Sequence, residues 1–182
     1  MAGSWPAIAR RIRVPLTFAF AILYLWFAQP TSFSLLAGGI VVLPGLILRM
    51  LASGYVTKNE QLTTGGPYAH VRNPLYLGSM IVAAGFAIAA RSWWIAIAMA
   101  VIFAVIYIPV IRNEEAFLRH RFPEFGHYAD NVPTLFPRFR PFGNRSGRFS
   151  WELYVQHREY NAIVGSIAMI AALIAKMYWL WK

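Results

Sequence analysis

Cysteine is absent from this 182-residue chain, which excludes disulfides, thiolate nucleophiles and Cys-ligated metals. Charge is scarce. Asp, Glu, Lys and Arg make up 13% of the residues, against about 25% in soluble domains. Acidic groups are the rarest, 7 against 17 Lys and Arg, which leaves a net charge of +10. From Val14 to Leu48 there is no charged residue at all. Hydrophobic residues account for 58% of the chain and aromatics for 16%, and the mean hydropathy is +0.49. One domain is the expectation at this length, and the composition is that of an all-α integral membrane protein.

The surplus of positive charge does not point to nucleic acid. The basic residues flank apolar runs, where topology signals sit, and form no separate basic face. Nor do the four histidines suggest a metal site, because His70, His120, His127 and His157 form no i,i+3 or i,i+4 pair.

About five transmembrane helices are expected. The uncharged run 14–48 would be roughly 50 Å as one helix, too long for a hydrocarbon core of ~30 Å. Gln29-Pro30-Thr31-Ser32 divides it with turn chemistry, giving spans at about 14–29 and 33–51. Pro44 and Gly45 are expected to kink the second. Further spans are expected at 74–90, 93–111 and 161–181, the last with Lys176 reaching for the interface and with a surface-lying helix as the alternative. The aromatic ends Trp93-Trp94 and Tyr178-Trp179-Leu180-Trp181 suit interfacial belts. The segments 52–73 and 112–160 are polar. Arg10, Arg11 and Arg13 precede the first run as in a signal peptide, but Phe27-Ala28-Gln29-Pro30 is a poor cleavage site, so an uncleaved span is expected. Of the 17 Lys and Arg, only Arg91, Lys176 and Lys182 fall on one side of the membrane. The opposite side, with both polar segments, is therefore read as cytoplasmic, and a prokaryotic cytoplasmic membrane is the expected location.

Two polar stretches carry chemistry. The first is GGPYAHVRNPLYLG, Gly65 to Gly78. Its Gly-Gly-Pro forces a turn, and Asn73-Pro74 reads as an N-cap and first-turn proline. The third span would then present a positive helix end, with His70 and Arg72 beside it, as a seat for a carboxylate or phosphate. The second stretch is IRNEEAFLRHRFPEFGHY, Ile111 to Tyr128. Glu114 and Glu115 stand just past the fourth span, where carboxylates are costly unless paired or functional. They are expected early in a following helix, with Glu115 paired to Arg119 at i,i+4. Together an anion seat and a cation seat on one membrane face suit a small zwitterion.

The loop, one helical hairpin, and then EEAFLRHRFPEFGHYADNVPTLFP resemble the isoprenylcysteine carboxyl methyltransferase and phospholipid methyltransferase superfamily over roughly Lys58 to Pro137. The resemblance implies an integral membrane enzyme using S-adenosyl-L-methionine. Its cofactor pocket would be cytoplasmic, formed by the loop before the third helix and the segment after the fourth. A lipophilic small-molecule or lipid acceptor would reach it from the bilayer. By position, cofactor contacts fall on Glu60, Gln61, Leu62, Thr63 and Tyr68, on Asn73, Pro74, Leu75 and Tyr76, and on Glu114, with His70 and Arg72 adding positive character. Three positions depart from the family pattern. Asn73 replaces a histidine, Val110 replaces a substrate-orienting arginine, and Phe122-Pro123 replaces Phe-Gly. Arg112, the arginine nearest to position 110, and Glu115 are the expected catalytic groups, Arg112 to orient a carboxylate or thiolate and Glu115 to take a proton from an amine. His70 and His127 are further candidate bases by residue type. Membrane lipids are the expected surroundings. No metal is expected, and the sequence names no oligomeric state. The competing reading is a non-enzymatic polytopic protein, a transporter subunit or assembly factor, that retains the scaffold.

Overall fold

The computed structural model describes residues 20–57, 61–143 and 147–180. Glu60 and Lys58, residues 14–19 of the first expected span, and Trp181 lie outside them. The described residues form helices joined by turns and irregular segments, with no strand among them.

Helix α1 covers 20–27. Helix α2, Ser32–Tyr55, starts on a capping box in which Thr31 and Ser34 each accept from the other's backbone N–H. It runs through Pro44 and Gly45 without a break. Helix α3, Pro74–Ala90, returns antiparallel to α2. The two approach through small residues, as helices in lipid do when no hydrophobic effect drives them together. A Cβ built on Gly38 would lie 2.5 Å from the Gly85 carbonyl oxygen, and one on Gly45 would lie 2.8 Å from that of Gly78. Arg91, with a left-handed φ of 51°, closes α3, and the Ala90 carbonyl accepts from Gln29 N at 2.8 Å.

Helix α4 is longer than expected. It runs from Trp93 to Arg121, ten residues beyond the expected end at 111. Pro109 ought to break it, by removing a bond to the carbonyl of Val105 and clashing with that group. A π-helical turn, Phe103–Tyr107, absorbs the misfit: the Ile108 N–H bonds to Phe103 O, one residue further back than in an α-helix. Glu114 and Glu115 consequently lie in the last third of α4. The expectation that they begin a new helix is corrected. At about 1.5 Å per residue the 29 residues exceed a ~30 Å hydrocarbon core, so the end of α4 projects past it and carries both carboxylates toward the loop before α3.

The short helix α5, Phe125–Asn131, leads into an irregular strap, 132–143. Helix α6, Trp151–Gln156, is capped by the Ser150 side chain, and helix α7, Tyr160–Leu180, follows. α2, α4 and α7 are each long and apolar enough to cross a membrane, and α3 is a shorter apolar helix. The Lys176 ammonium donates to the carbonyls of Leu25, Trp26 and Ala28, capping the end of α1 with a cation where the helix dipole is negative.

Two clusters make the core. Tyr24, Val42, Phe86, Ile95 and Leu173 join α1, α2, α3, α4 and α7. Phe122, Phe125, Tyr128 and Val132 pack beneath the polar face, with Leu62, Leu118 and Phe142 against them. Within the spans Arg49 is fully engaged. It pairs with Glu159 at 2.7 Å and donates to Ser79 Oγ and the Leu75 carbonyl, tying α2 to the first turns of α3 and to the start of α7.

Candidate active site

Gly66, at φ +56°, and Pro67 set a turn of 3-10 helix, Gly66–Ala69. This turn sends Tyr68 inward and brings residues 70–73 toward α4. Asn73 holds the N-cap position with Pro74 at the first helical position, yet its side chain makes no cap bond. Its amide instead donates to Glu115 Oε1 at 2.9 Å and to the Thr134 carbonyl at 3.4 Å. The expected side-chain cap is thereby corrected. The amide serves a carboxylate 42 residues away, and the first turn of α3 stays without a side-chain cap.

Arg72 is the hub of the site. Its Nε donates to Glu115 Oε1 at 2.9 Å and its Nη2 to Oε2 at 3.1 Å, a two-pronged pairing that arginine's planar fork favours. The remaining guanidinium protons go to the Val132 carbonyl at 2.7 Å, Thr134 Oγ1 at 2.6 Å and the Ala129 carbonyl. Its backbone N–H donates to Pro133 O. One side chain thus holds the loop, the end of α4 and the strap together. The expected Glu115–Arg119 pair is not formed. Arg119 lies over the Phe125 ring at 5.6 Å, because Glu115 faces the loop.

Glu114 accepts a hydrogen bond from the Tyr76 hydroxyl at 3.0 Å. Tyr128 donates to the Tyr68 carbonyl at 2.8 Å. Burial pushes the Tyr68 phenol above its ordinary range, with the Glu114 carboxylate a smaller push in the same direction. Burial also raises Tyr128, opposed by Arg72 and reinforced by Glu115. Both phenols therefore stay neutral donors across physiological pH.

These groups border a cleft of about 140 Å³. From the loop it takes Gln61, Leu62, Thr63, Tyr68, Arg72 and Asn73, and from the start of α3 Pro74, Leu75 and Tyr76. Glu114 and Glu115 come from α4, and Phe125 and Tyr128 from α5. Three residues named from the sequence are placed elsewhere. Arg112 is exposed and outside the lining. His70 faces the strap, its Nδ1 donating to the Arg138 carbonyl at 2.8 Å. His127 sits against the Phe142 ring. Sequence reasoning missed Val56, Thr57, Phe117 and Leu118, which also line the cleft. The Thr57 hydroxyl is buried there without a hydrogen-bond partner among the described residues. Its polar type beside the expected contacts is the only signal that could have marked it.

A second cavity, about 430 Å³, lies among the spans. Phe20 and Tyr24 of α1, Arg49 of α2, Val82 and Phe86 of α3, Met99 and Tyr107 of α4, and Met169 of α7 contribute to its walls. The Tyr76 ring, in the cleft, meets the Tyr107 ring, in this cavity, edge to face at 5.8 Å. Arg49, in the cavity wall, donates to the carbonyl of Leu75 in the cleft wall. The two spaces are neighbours across one aromatic pair.

A helical membrane scaffold with a polar cleft at one end of the bundle and an apolar chamber beside it defines the class. Residues 45–124 match the family model described as phospholipid methyltransferase. The matched region includes the Gly45–Gly78 approach of α2 and α3, the loop and both glutamates. Among curated proteins the chain is similar to the cobalt-zinc-cadmium resistance protein CzcN of Cupriavidus metallidurans, 36% identical over 104 residues, covering 57% of this chain and 47% of that protein. It is also similar to the nickel-cobalt-cadmium resistance protein NccN of Alcaligenes xylosoxydans xylosoxydans, 38% identical over 89 residues, covering 49% of this chain and 42% of that one. The chain thus spans somewhat less than half the length of these relatives. No solved structure matches it.

Proposed function

We propose that the chain is an S-adenosyl-L-methionine-dependent methyltransferase whose cleft faces the cytoplasm and whose acceptor is lipophilic. The observation that carries this reading is the convergence in one cleft of the uncapped first turn of α3, the Glu114 carboxylate and the unpartnered Thr57 hydroxyl. The donor set fits the cofactor. The helix end suits its carboxylate, Glu114 suits its ammonium or ribose hydroxyls, and Phe125 and Tyr128 offer apolar and aromatic surface for its base. A buried hydroxyl without a partner is costly in a resting protein, and a polar ligand would satisfy Thr57. When bound, S-adenosylmethionine supplies an activated methyl group together with its leaving group, so the protein's share is orientation and exclusion of water.

Glu115 serves in this reading as a positioning group, because Arg72 and Asn73 already occupy its oxygens. The apolar chamber takes the acceptor, and the Tyr76–Tyr107 pair forms the threshold between acceptor and cofactor. Arg49 is the basic group at that threshold, whereas Val110, at the position of the family's substrate-orienting arginine, has no charge to offer. The relatives' names concern resistance to metal ions. Among the described residues no group of three or more His, Cys, Asp or Glu converges, so we take metal resistance as a setting for the methyl transfer and assign no metal seat to the cleft.

The test is calorimetric titration of the detergent-purified protein with S-adenosylhomocysteine, beside Glu114→Ala. Glu114 is exposed and accepts from the Tyr76 hydroxyl, so the variant should keep the helical circular dichroism of the parent. Micromolar binding weakened at least about thirtyfold in the variant is expected, the value of one charge-assisted hydrogen bond or a little more. Equal affinity in the two proteins would refute the assignment of Glu114, and absence of binding to the folded parent would refute the cofactor.

A further inference from the structure

A third space lies on the opposite face of the α2–α3 pair from the apolar chamber. It is a groove of about 650 Å³. Its lower wall is apolar and runs along both spans: Pro44, Leu48 and Leu51 on α2, Leu77 and Ile81 on α3. Its upper end is closed by His70 of the loop and by Pro137 and Pro141 of the strap. No acidic residue is among its lining in the described residues. The strap segment that closes it reads Phe136-Pro137-Arg138-Phe139-Arg140. Phe136 and Phe139 are 85% and 102% exposed, and Arg140 is exposed and in no ion pair among the described residues. Water does not favour two bare phenylalanines beside arginines, whereas the boundary of a bilayer suits both residue types.

We propose that this groove holds one anionic phospholipid from the adjoining leaflet. An acyl chain would lie along α2 and α3, and the phosphate would sit beside Arg140 and the Arg138 guanidinium, whose Nη1 already donates to the Asn131 carbonyl; the two arginines lie between Pro137 and Pro141 of the groove's lining. Three features select that occupant. The apolar wall belongs to membrane-spanning helices, so it is reached by lipid. The charge at the rim is of one sign and complements an anionic headgroup. The rim also sits where headgroups lie, past the ends of the apolar stretch. This goes beyond the methyltransferase reading and does not depend on it.

The site also has a mechanical link to the cleft. Arg138 N donates to His70 O at 2.9 Å, and Phe142 N donates to Ala69 O at 2.9 Å. His70 Nδ1 returns a bond to the Arg138 carbonyl. The strap is therefore laced to the back of the loop whose front, Tyr68, Arg72 and Asn73, lines the cleft. A lipid seated in the groove braces that loop from behind, which gives His70 a role outside the cleft.

The experiment is native mass spectrometry of the detergent-purified full chain, titrated with palmitoyl-oleoyl phosphatidylglycerol or with the corresponding phosphatidylcholine. One retained phosphatidylglycerol, held about tenfold better than phosphatidylcholine, is expected from two arginines at the headgroup. Arg138→Gln with Arg140→Gln should abolish the preference and leave phosphatidylcholine retention unchanged. Leu48→Trp, which fills the groove, should lower retention of both lipids. The arginine pair lies outside the spans and decides the question even if Leu48→Trp fails to fold. Equal retention of the two lipids by the parent, or a preference that survives the arginine substitutions, would overturn the proposal. S-adenosylhomocysteine titration of the same preparation reports separately on the cleft.

Discussion

Arg72→Leu is expected to weaken S-adenosylhomocysteine binding by one to two orders of magnitude, while Arg72→Leu combined with Glu115→Leu should lose distinctly less. The single change strips Glu115 of its two-pronged partner and leaves a carboxylate only 21% exposed with the Asn73 amide in place of a compensating cation. It also orphans the carbonyls of Ala129 and Val132. Breaking one half of a buried pair costs about 3–5 kcal/mol, while replacing both halves by apolar groups is often near neutral. The partial exposure here puts the expected cost at the low end, about 2–3 kcal/mol, a factor of tens to a hundred. The loss should appear as faster hydrogen exchange in the loop around Tyr68 and in the strap around Thr134, with the spans unchanged. If the single and double variants bind ligand equally well, Arg72 is not the hub.

Gly38→Leu should lower the midpoint of thermal unfolding in detergent by about 6–12 °C, while Gly39→Leu, one residue along the same helix, should leave it within about 2 °C. The Cβ of a residue at 38 would meet the Gly85 carbonyl at 2.5 Å and the Ala89 Cβ at 2.8 Å. That is backbone and a rigid neighbour, so the helices must separate. Overpacking costs about 1–3 kcal/mol and more where backbone has to move. At roughly 2–4 °C per kcal/mol for a chain of this size, about 3 kcal/mol gives the range stated. A Cβ at 39 meets nothing within 4 Å, and leucine is the better helix former. Equal midpoints for the two variants would show that α2 and α3 are not held by this close approach.

The pairing of α2 with α3 was only half legible. The apolar runs and the polar segment between them follow from hydropathy. Gly38, Gly45, Gly78 and Gly85 look like ordinary membrane glycines until the antiparallel partner is present, because close approach belongs to two helices at once. The site divides in the same way. Tyr68, Asn73, Tyr76 and Glu114 were named from the family resemblance and meet in one cleft. Thr57 was not named, since nothing local distinguishes a threonine at a helix end from one awaiting a ligand. Arg112 was named through its nearness to position 110, and helix geometry alone turns it to the outside. The length of α4 was misjudged for a physical reason. Proline and charge both signal an end, and neither reveals that a π turn absorbs Pro109 or that the helix continues beyond the hydrocarbon.

The sequence by itself determined that the chain is helical and membrane-embedded, which segments are apolar, and that two polar motifs lie one hairpin apart. These are local properties, set by transfer free energy and by backbone satisfaction in lipid. Which residue answers which charge was decided only by the tertiary structure. Glu115 meets Arg72 and Asn73 rather than Arg119, Arg49 meets Glu159, and Lys176 caps α1. In a medium of low dielectric a charge takes the partner that the packing of helices brings within reach, and residues more than a hundred positions apart, such as Arg49 and Glu159, find each other only once the bundle has closed.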